Sequence, residues 1–215
     1  MIEQKITKET KILNLRYLCL LLFNSLLFFA STLFADDIMT QYELLAPETN
    51  KFAIRYDVSA LEPGSTVYFN IIRPGSEASD ERVVDRVSGK EIKFEMSNGK
   101  EARAAGQAEP DTEDTTPFIK VLLPRPVPKN GEFRLRIFKT YKDAKSYFQK
   151  GDEVIFDRSL SIKRNTIVLP PGYELVGSTV PVMVSTEADG RVKVSLVNDR
   201  DDEIAVRVVG RKIKR

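Results

Sequence analysis

The chain has 215 residues, 42% of them apolar and 30% charged, a balance that excludes both a disordered acidic tail and a multi-pass membrane protein. It contains no His and no Trp, and its single cysteine is Cys19. Those absences exclude a Ser-His-Asp triad, a Cys-His dyad and any zinc site built from Cys or His.

At the N-terminus, Lys5, Lys8, Lys11 and Arg16 precede an apolar run from Tyr17 to Phe34, and Ala35 leads into Asp36 and Asp37. A basic start, an apolar stretch and a small residue before polar chain is the plan of a secretory signal peptide, here residues 1–35. The rival reading is an uncleaved N-terminal anchor, because the run is about as long as the shortest bilayer-spanning helix. Either reading exports the remainder, to the periplasm or outside the cell, since the positive flank stays inside. Cys19 follows Leu18 rather than a small residue, which argues against lipid attachment. The leader holds four of the 33 basic and two of the 31 acidic residues, so 29 of each remain and the exported part is formally neutral. A duplex-binding protein needs a basic face, so nucleic acid is not an expected partner. The exported part also lacks cysteine, and its stability must come from packing rather than disulfides.

Residues 36–215 read as one domain. Period-two alternation dominates, the mark of strands with one buried face. Phe52, Ile54, Tyr56 and Val58 share one phase, and Val67, Phe69 and Ile71 another. Ile92, Phe94 and Met96 follow, then Phe133, Leu135 and Ile137. Val192, Val194 and Leu196, then Ile204, Val206 and Val208, complete the set. Charged residues in the opposite phase suit antiparallel sheets with one wet face. The Asp189-Gly190 turn predicts a hairpin between 182–187 and 191–197, and a third strand at 203–209 would extend it into a meander. Residues 100–117 are rich in Ala, acids and Thr and read as a long polar loop. Asp143 starts a segment, 143–149, suited to a short helical turn. About ten to twelve strands are too many for one flat sheet, so the expected fold is all-β: an antiparallel β-sandwich, immunoglobulin-like or related.

Chemistry is sparse. Asp152, Glu153, Asp157 and Glu174 are the acids a glycan hydrolase would need, although carboxylates on a solvated strand face are commonplace. Asp199, Asp201 and Asp202 crowd one turn and are calcium candidates by oxygen count, but they lack the glycine and spacing of a helix–loop–helix site. Turn-forming Asp is common for backbone reasons alone. Tyr141, Lys142, Lys145, Tyr147 and Phe148 form an aromatic and basic stretch, the first choice for a partner-binding surface. The competing reading is that Tyr147 and Phe148 staple the turn onto the sandwich.

The stretch Phe156-Asp157-Arg158-Ser159-Leu160-Ser161-Ile162-Lys163-Arg164-Asn165-Thr166-Ile167-Val168-Leu169-Pro170-Pro171-Gly172-Tyr173-Glu174-Leu175 resembles a segment of exported bacterial β-sandwich proteins without assigned activity. The resemblance covers about 152–198. In related arrangements such a sandwich precedes a zinc aminopeptidase-like domain. It implies a sandwich in an accessory role and carries over no catalytic residue, since this chain has no His-Glu-x-x-His helix.

The sequence therefore predicts an exported, non-catalytic binding or structural module that engages a protein or cell-envelope partner and needs no cofactor. Membrane contact is expected only through an uncleaved anchor. The alternatives are a carboxylate-dependent glycan hydrolase and a calcium-stabilised accessory domain.

Overall fold

The structure is a computed structural model that describes residues 38–214. The signal peptide or anchor expected at 1–35 lies outside the described residues. Among them, no helix is long and apolar enough to cross a membrane.

Fourteen strands follow one another among the described residues. The first seven are β1 Met39–Leu44, β2 Lys51–Ala60, β3 Val67–Ile71, β4 Glu77–Asp85, β5 Phe94–Asn98, β6 Pro117–Leu122 and β7 Phe133–Lys142. The rest are β8 Tyr147–Lys150, β9 Glu153–Leu160, β10 Arg164–Val168, β11 Tyr173–Ser178, β12 Met183–Thr186, β13 Val192–Val197 and β14 Ile204–Lys212. They form a seven-stranded sheet in the order β12-β13-β10-β1-β2-β7-β4, a four-stranded sheet β11-β14-β9-β8 and a three-stranded sheet β3-β6-β5. Neighbours are antiparallel except β1 and β10, which pair in parallel.

The fold is all-β and built as a sandwich, as the alternation predicts. In β7, Phe133, Leu135, Ile137, Lys139 and Tyr141 fall in one buried row. From that row, Lys139 touches Asn70 of the three-stranded sheet and Tyr141 lies against Arg158 of the four-stranded sheet. The two smaller sheets therefore share one face of the large sheet and together make the second layer. A single hydrophobic cluster joins all three sheets. At its centre Phe52 and Phe156 meet edge to face with ring centroids 5.7 Å apart, and Tyr42 and Phe156 are 5.1 Å apart. Side chains of this size each contribute about 2–3 kcal/mol on full burial, so these rings hold the layers together.

Two local expectations meet a different outcome and a third is met in part. The polar segment at 100–117 opens with a short helix, α1 Gly99–Ala104. Asn98 caps it by accepting a hydrogen bond from Glu101 N at 3.1 Å, and Ala102 is buried beside Phe69 and Phe118. Alanine-rich composition between turn residues was a helix signal. The segment at 143–149 makes one helical turn: Asp143 O accepts from Tyr147 N at 2.9 Å, and Asp143 Oδ1 accepts from Lys145 N and Ser146 N. From Tyr147 onward it is strand β8. The C-terminal meander is also divided. β12 and β13 form the expected hairpin, but β14 crosses to the other layer and lies between β9 and β11. Asn198, fully buried, steers the crossing by donating to Leu160 O at 3.2 Å and Asp202 O at 2.8 Å.

Candidate functional site

Four inward rows meet between the layers of the sandwich. Thr40 and Tyr42 on β1 stand opposite Tyr56 and Ile54 on β2, and Ile54 stands opposite Lys139 on β7. These residues share the sheet face toward the core, next to Tyr141. On β9 the inward row is Val154, Phe156, Arg158 and Leu160. Two cations thus occupy positions whose phase calls for apolar side chains. Between the layers lies a pocket of about 370 Å³, closed on its third side by Asn70 to Pro74 at the exit of β3.

Lys139 is 6% exposed. Its ammonium donates to Asn70 Oδ1 at 2.8 Å and to Ile71 O at 3.1 Å, both neutral acceptors. Among the described residues no carboxylate lies within ion-pair distance of it. Burial disfavours the charged form, the nearby Arg158 repels it, and Glu81 offsets only part of this, so the ammonium titrates at about 7 rather than 10.5.

Arg158 is 8% exposed and has a counter-ion, Asp143, at 3.4 Å. Its guanidinium lies over Tyr42, Phe52 and Tyr141, 5.5 to 6.0 Å from each ring centroid. Burial lowers its proton affinity, and Arg73 adds to the effect. Asp143 has little capacity left for a third party. It accepts from Ser146 Oγ at 2.6 Å and Ser76 Oγ at 3.1 Å besides the two backbone donors. Burial alone would raise its pKa, but those hydrogen bonds, Ser146 first, hold it below the usual carboxylate range.

Arg73 is half-buried and completes the group of cations. Its Nη1 donates to Ser159 O at 3.2 Å, and its backbone N–H donates to Tyr141 Oη at 3.0 Å. Lys139 Nζ and Arg158 Cζ both face the ring of Tyr141, at 5.0 and 5.5 Å from the centroid. The phenols of Tyr42 and Tyr141 are pushed up by burial and stay protonated donors. The arrangement presents cationic and hydroxyl donors against an apolar wall of Ile54, Leu160 and Ile162. Of the pocket-lining side chains, only Glu203, exposed and at the rim, is a carboxylate. Such a site can hold an anion.

The expected contact stretch is divided by its environment. Tyr141 and Tyr147 are 2% and 0% exposed. Tyr147 Oη donates to Leu45 O at 2.8 Å, which fits the stapling role. Lys142 and Lys145 are exposed, Phe148 is half-buried, and Lys142 sits 3.7 Å from Glu77. The five residues are therefore not one exposed patch, because strand alternation sends Tyr141 and Tyr147 inward. Tyr141 instead enters the pocket.

Of the acids considered for hydrolysis, Glu153, Asp157 and Glu174 lie on the wet face of the four-stranded sheet and Asp152 in the turn between β8 and β9. Asp157 pairs with Arg207, Glu153 with Arg211 at 2.8 Å and Asp152 with Lys214 at 3.2 Å, while Glu174 is exposed on β11. Asp199, Asp201 and Asp202 are exposed in the turn before β14, and Asp201 Oδ1 lies 3.5 Å from Lys163. Among the described residues no three acidic side chains converge as a metal ion would require.

No family model and no curated protein matches the chain. Among solved structures, an M1 zinc metallopeptidase from Deinococcus radiodurans bound to a Tyr-Ser-Ala substrate is similar at a TM-score of 0.48 and 10% identity, over 80% of this chain and 41% of that one. An aminopeptidase N family protein from Idiomarina loihiensis is similar at 0.45 and 8% identity, over 80% of this chain and 29% of that one. The chain spans less than half the length of either.

Proposed function

We propose that this chain is an exported, non-catalytic binding module that engages a protein or cell-envelope partner through the pocket between its layers. Buried charge is normally paired, and an unpaired one costs several kcal/mol. The observation that carries the reading is Lys139, held inside the sandwich against two neutral acceptors and beside a second cation. A group kept at such a cost in a cleft marks a functional site more often than a structural one.

The test is capture from envelope extract with the full chain as bait, run beside Arg73→Glu. Arg73 is half-buried at the pocket mouth, so its replacement reverses a charge without opening the core. A partner retained by the wild type and lost from Arg73→Glu is the expected result. Equal capture by both would refute docking at the pocket. Turnover of a polysaccharide that disappears in Asp157→Asn or Glu174→Gln would replace the reading with hydrolysis.

A further inference from the structure

We propose that the pocket is a carboxylate site that takes the anionic end of an amphipathic ligand, a small organic acid or the C-terminus of a polypeptide, against Arg73 and Lys139. The inference rests on the pocket being the binding site and names the chemistry it takes. Three observations support it independently of one another.

First, the donors are in surplus. Lys139 has three N–H groups and two protein acceptors, and Arg73 has one side-chain acceptor, a backbone carbonyl. Neither has a carboxylate within ion-pair distance among the described residues. Arg158 is different, since Asp143 already balances it. Two cations lack a counter-ion while Lys139 is protonated and Arg73 alone once it is neutral, so a monoanion, unlike a phosphate dianion, leaves no excess negative charge in either state. Second, the rest of the wall is apolar. Ile54, Leu160 and Ile162 offer nothing to a free inorganic ion but would cover a short hydrocarbon chain. Third, the volume of about 370 Å³ lies at the lower end of small-ligand pockets, roughly 300–1,000 Å³, and admits a residue-sized group.

Anion binding at this place must also couple to proton uptake. The groups around the Lys139 ammonium are Tyr42 on β1, Tyr56 on β2, Arg73 after β3, Glu81 on β4, Tyr141 on β7, Arg158 on β9 and Glu203 before β14. Arginines stay charged and buried phenols stay neutral through the physiological range. Lys139, titrating at about 7, is the pocket group that changes charge between pH 6.5 and 8.5. A carboxylate binds the protonated form better, so affinity must rise as pH falls.

The experiment is calorimetric titration of the full chain with hexanoate, hexanamide, inorganic phosphate, and a hydrophobic tetrapeptide with either a free or an amidated C-terminus. Hexanoate is expected to bind at least tenfold more tightly than hexanamide and than phosphate. Its affinity should rise more than tenfold from pH 8.5 to pH 6.5. Arg73→Gln should weaken it tenfold or more at both pH values, and Lys139→Met should abolish the pH dependence. The free tetrapeptide binding more tightly than hexanoate identifies a polypeptide terminus as the source, and the reverse order identifies a small acid. Equal binding of hexanoate and hexanamide, tighter binding of phosphate, or affinity unchanged in Arg73→Gln would each overturn the assignment. Failure here with envelope capture still lost in Arg73→Glu removes the carboxylate and leaves the docking site. Tight hexanoate binding with capture unaffected removes the docking site and leaves the carboxylate.

Discussion

Replacing Lys139 by Met should change how stability depends on pH, and the size of the change follows from the site. The ammonium titrates at about 7 in the folded chain against 10.5 for an exposed lysine. At 1.36 kcal/mol per decade of proton affinity, the difference is a penalty of roughly 5 kcal/mol on the folded state. Below pH 7 both states hold the proton and the penalty is complete. Between pH 7 and 10.5 the unfolded chain holds a proton that the folded chain does not, so stability rises with pH. Above 10.5 both states are neutral and the penalty is gone. Met keeps the length and much of the volume of the lysine stem without its charge. It leaves Asn70 Oδ1 and Ile71 O without their donor, at about 1–3 kcal/mol each, which cancels most of the gain. The variant should therefore lie within about 2 kcal/mol of the wild type at pH 6. The decisive quantity is the difference between the two proteins. From pH 7.5 to 9.0 the wild type should gain about 2 kcal/mol relative to Lys139→Met, read from urea denaturation of both at each pH. Titration of tyrosines and carboxylates common to both chains cancels in that difference. A difference constant within about 0.5 kcal/mol across pH 6 to 9 would refute a desolvated ammonium at this position.

Other substitutions separate structural charge from surface charge and test the packing. Asp57 is 2% exposed, holds Arg136 through two bonds of 2.6 and 2.8 Å and has Arg86 at 3.6 Å, so Asp57→Asn should cost about 3 kcal/mol in urea melts. Asp157→Asn breaks an ion pair on the wet face and should cost less than about 1 kcal/mol; equal losses would contradict the assignment of both. A Cβ at Gly210 would lie 3.0 Å from Leu169 Cδ1 and 3.1 Å from Val154 Cγ2, so Gly210→Ala should destabilise by about 1–3 kcal/mol, and an unchanged Tm would show that the β9–β14 contact is looser than described. A chelator should leave Tm unchanged, because Asp201 faces Lys163 and the three exposed acids of the turn, Asp199, Asp201 and Asp202, do not converge; a fall in Tm would restore calcium at that turn.

The layers were legible because alternation is a direct imprint of burial on strand sequence. Phe52, Ile54 and Val58, Phe133 to Ile137, and Val194 and Leu196 are buried in the phase their sequence predicts, with Tyr56 and Val192 half-buried in the same rows. Which sheet a strand joins was not legible, since phase defines a face and not a neighbour. β14 illustrates this: its pattern is that of a third meander strand, yet buried Asn198 turns the chain into the other layer. The pocket was written in the sequence in a form easily passed over. Carrying the β7 phase two residues further than Ile137 reaches Lys139 and then Tyr141, and carrying the β9 phase beyond Phe156 reaches Arg158. A charge in an apolar phase was the signal. Its meaning depends on Asn70 to Pro74, about seventy residues away from Lys139, and no local pattern brings that segment to β7.

The two faces of the large sheet make the functional argument by contrast. On the outer face, Asp57 of β2 and Arg136 of β7 stand opposite each other in register and satisfy one another bidentately. On the inner face of the same two strands, Ile54 stands opposite Lys139, and the cation has only neutral oxygens to bond. Space filling alone does not explain the second arrangement, because a methionine would fill much of the same space; the lysine also serves as the donor for Asn70 Oδ1 and Ile71 O. Nor does a structural ion pair, because Asp143 is turned toward Arg158, Ser146 and Ser76, and Glu81 lies beyond ion-pair distance and offsets only part of the burial. On our proposal the partner of that charge comes from outside the chain. On this reasoning an anionic ligand should restore to the inner face the balance that Asp57 gives the outer one, and the sandwich should be more stable, as well as occupied, when the pocket is filled.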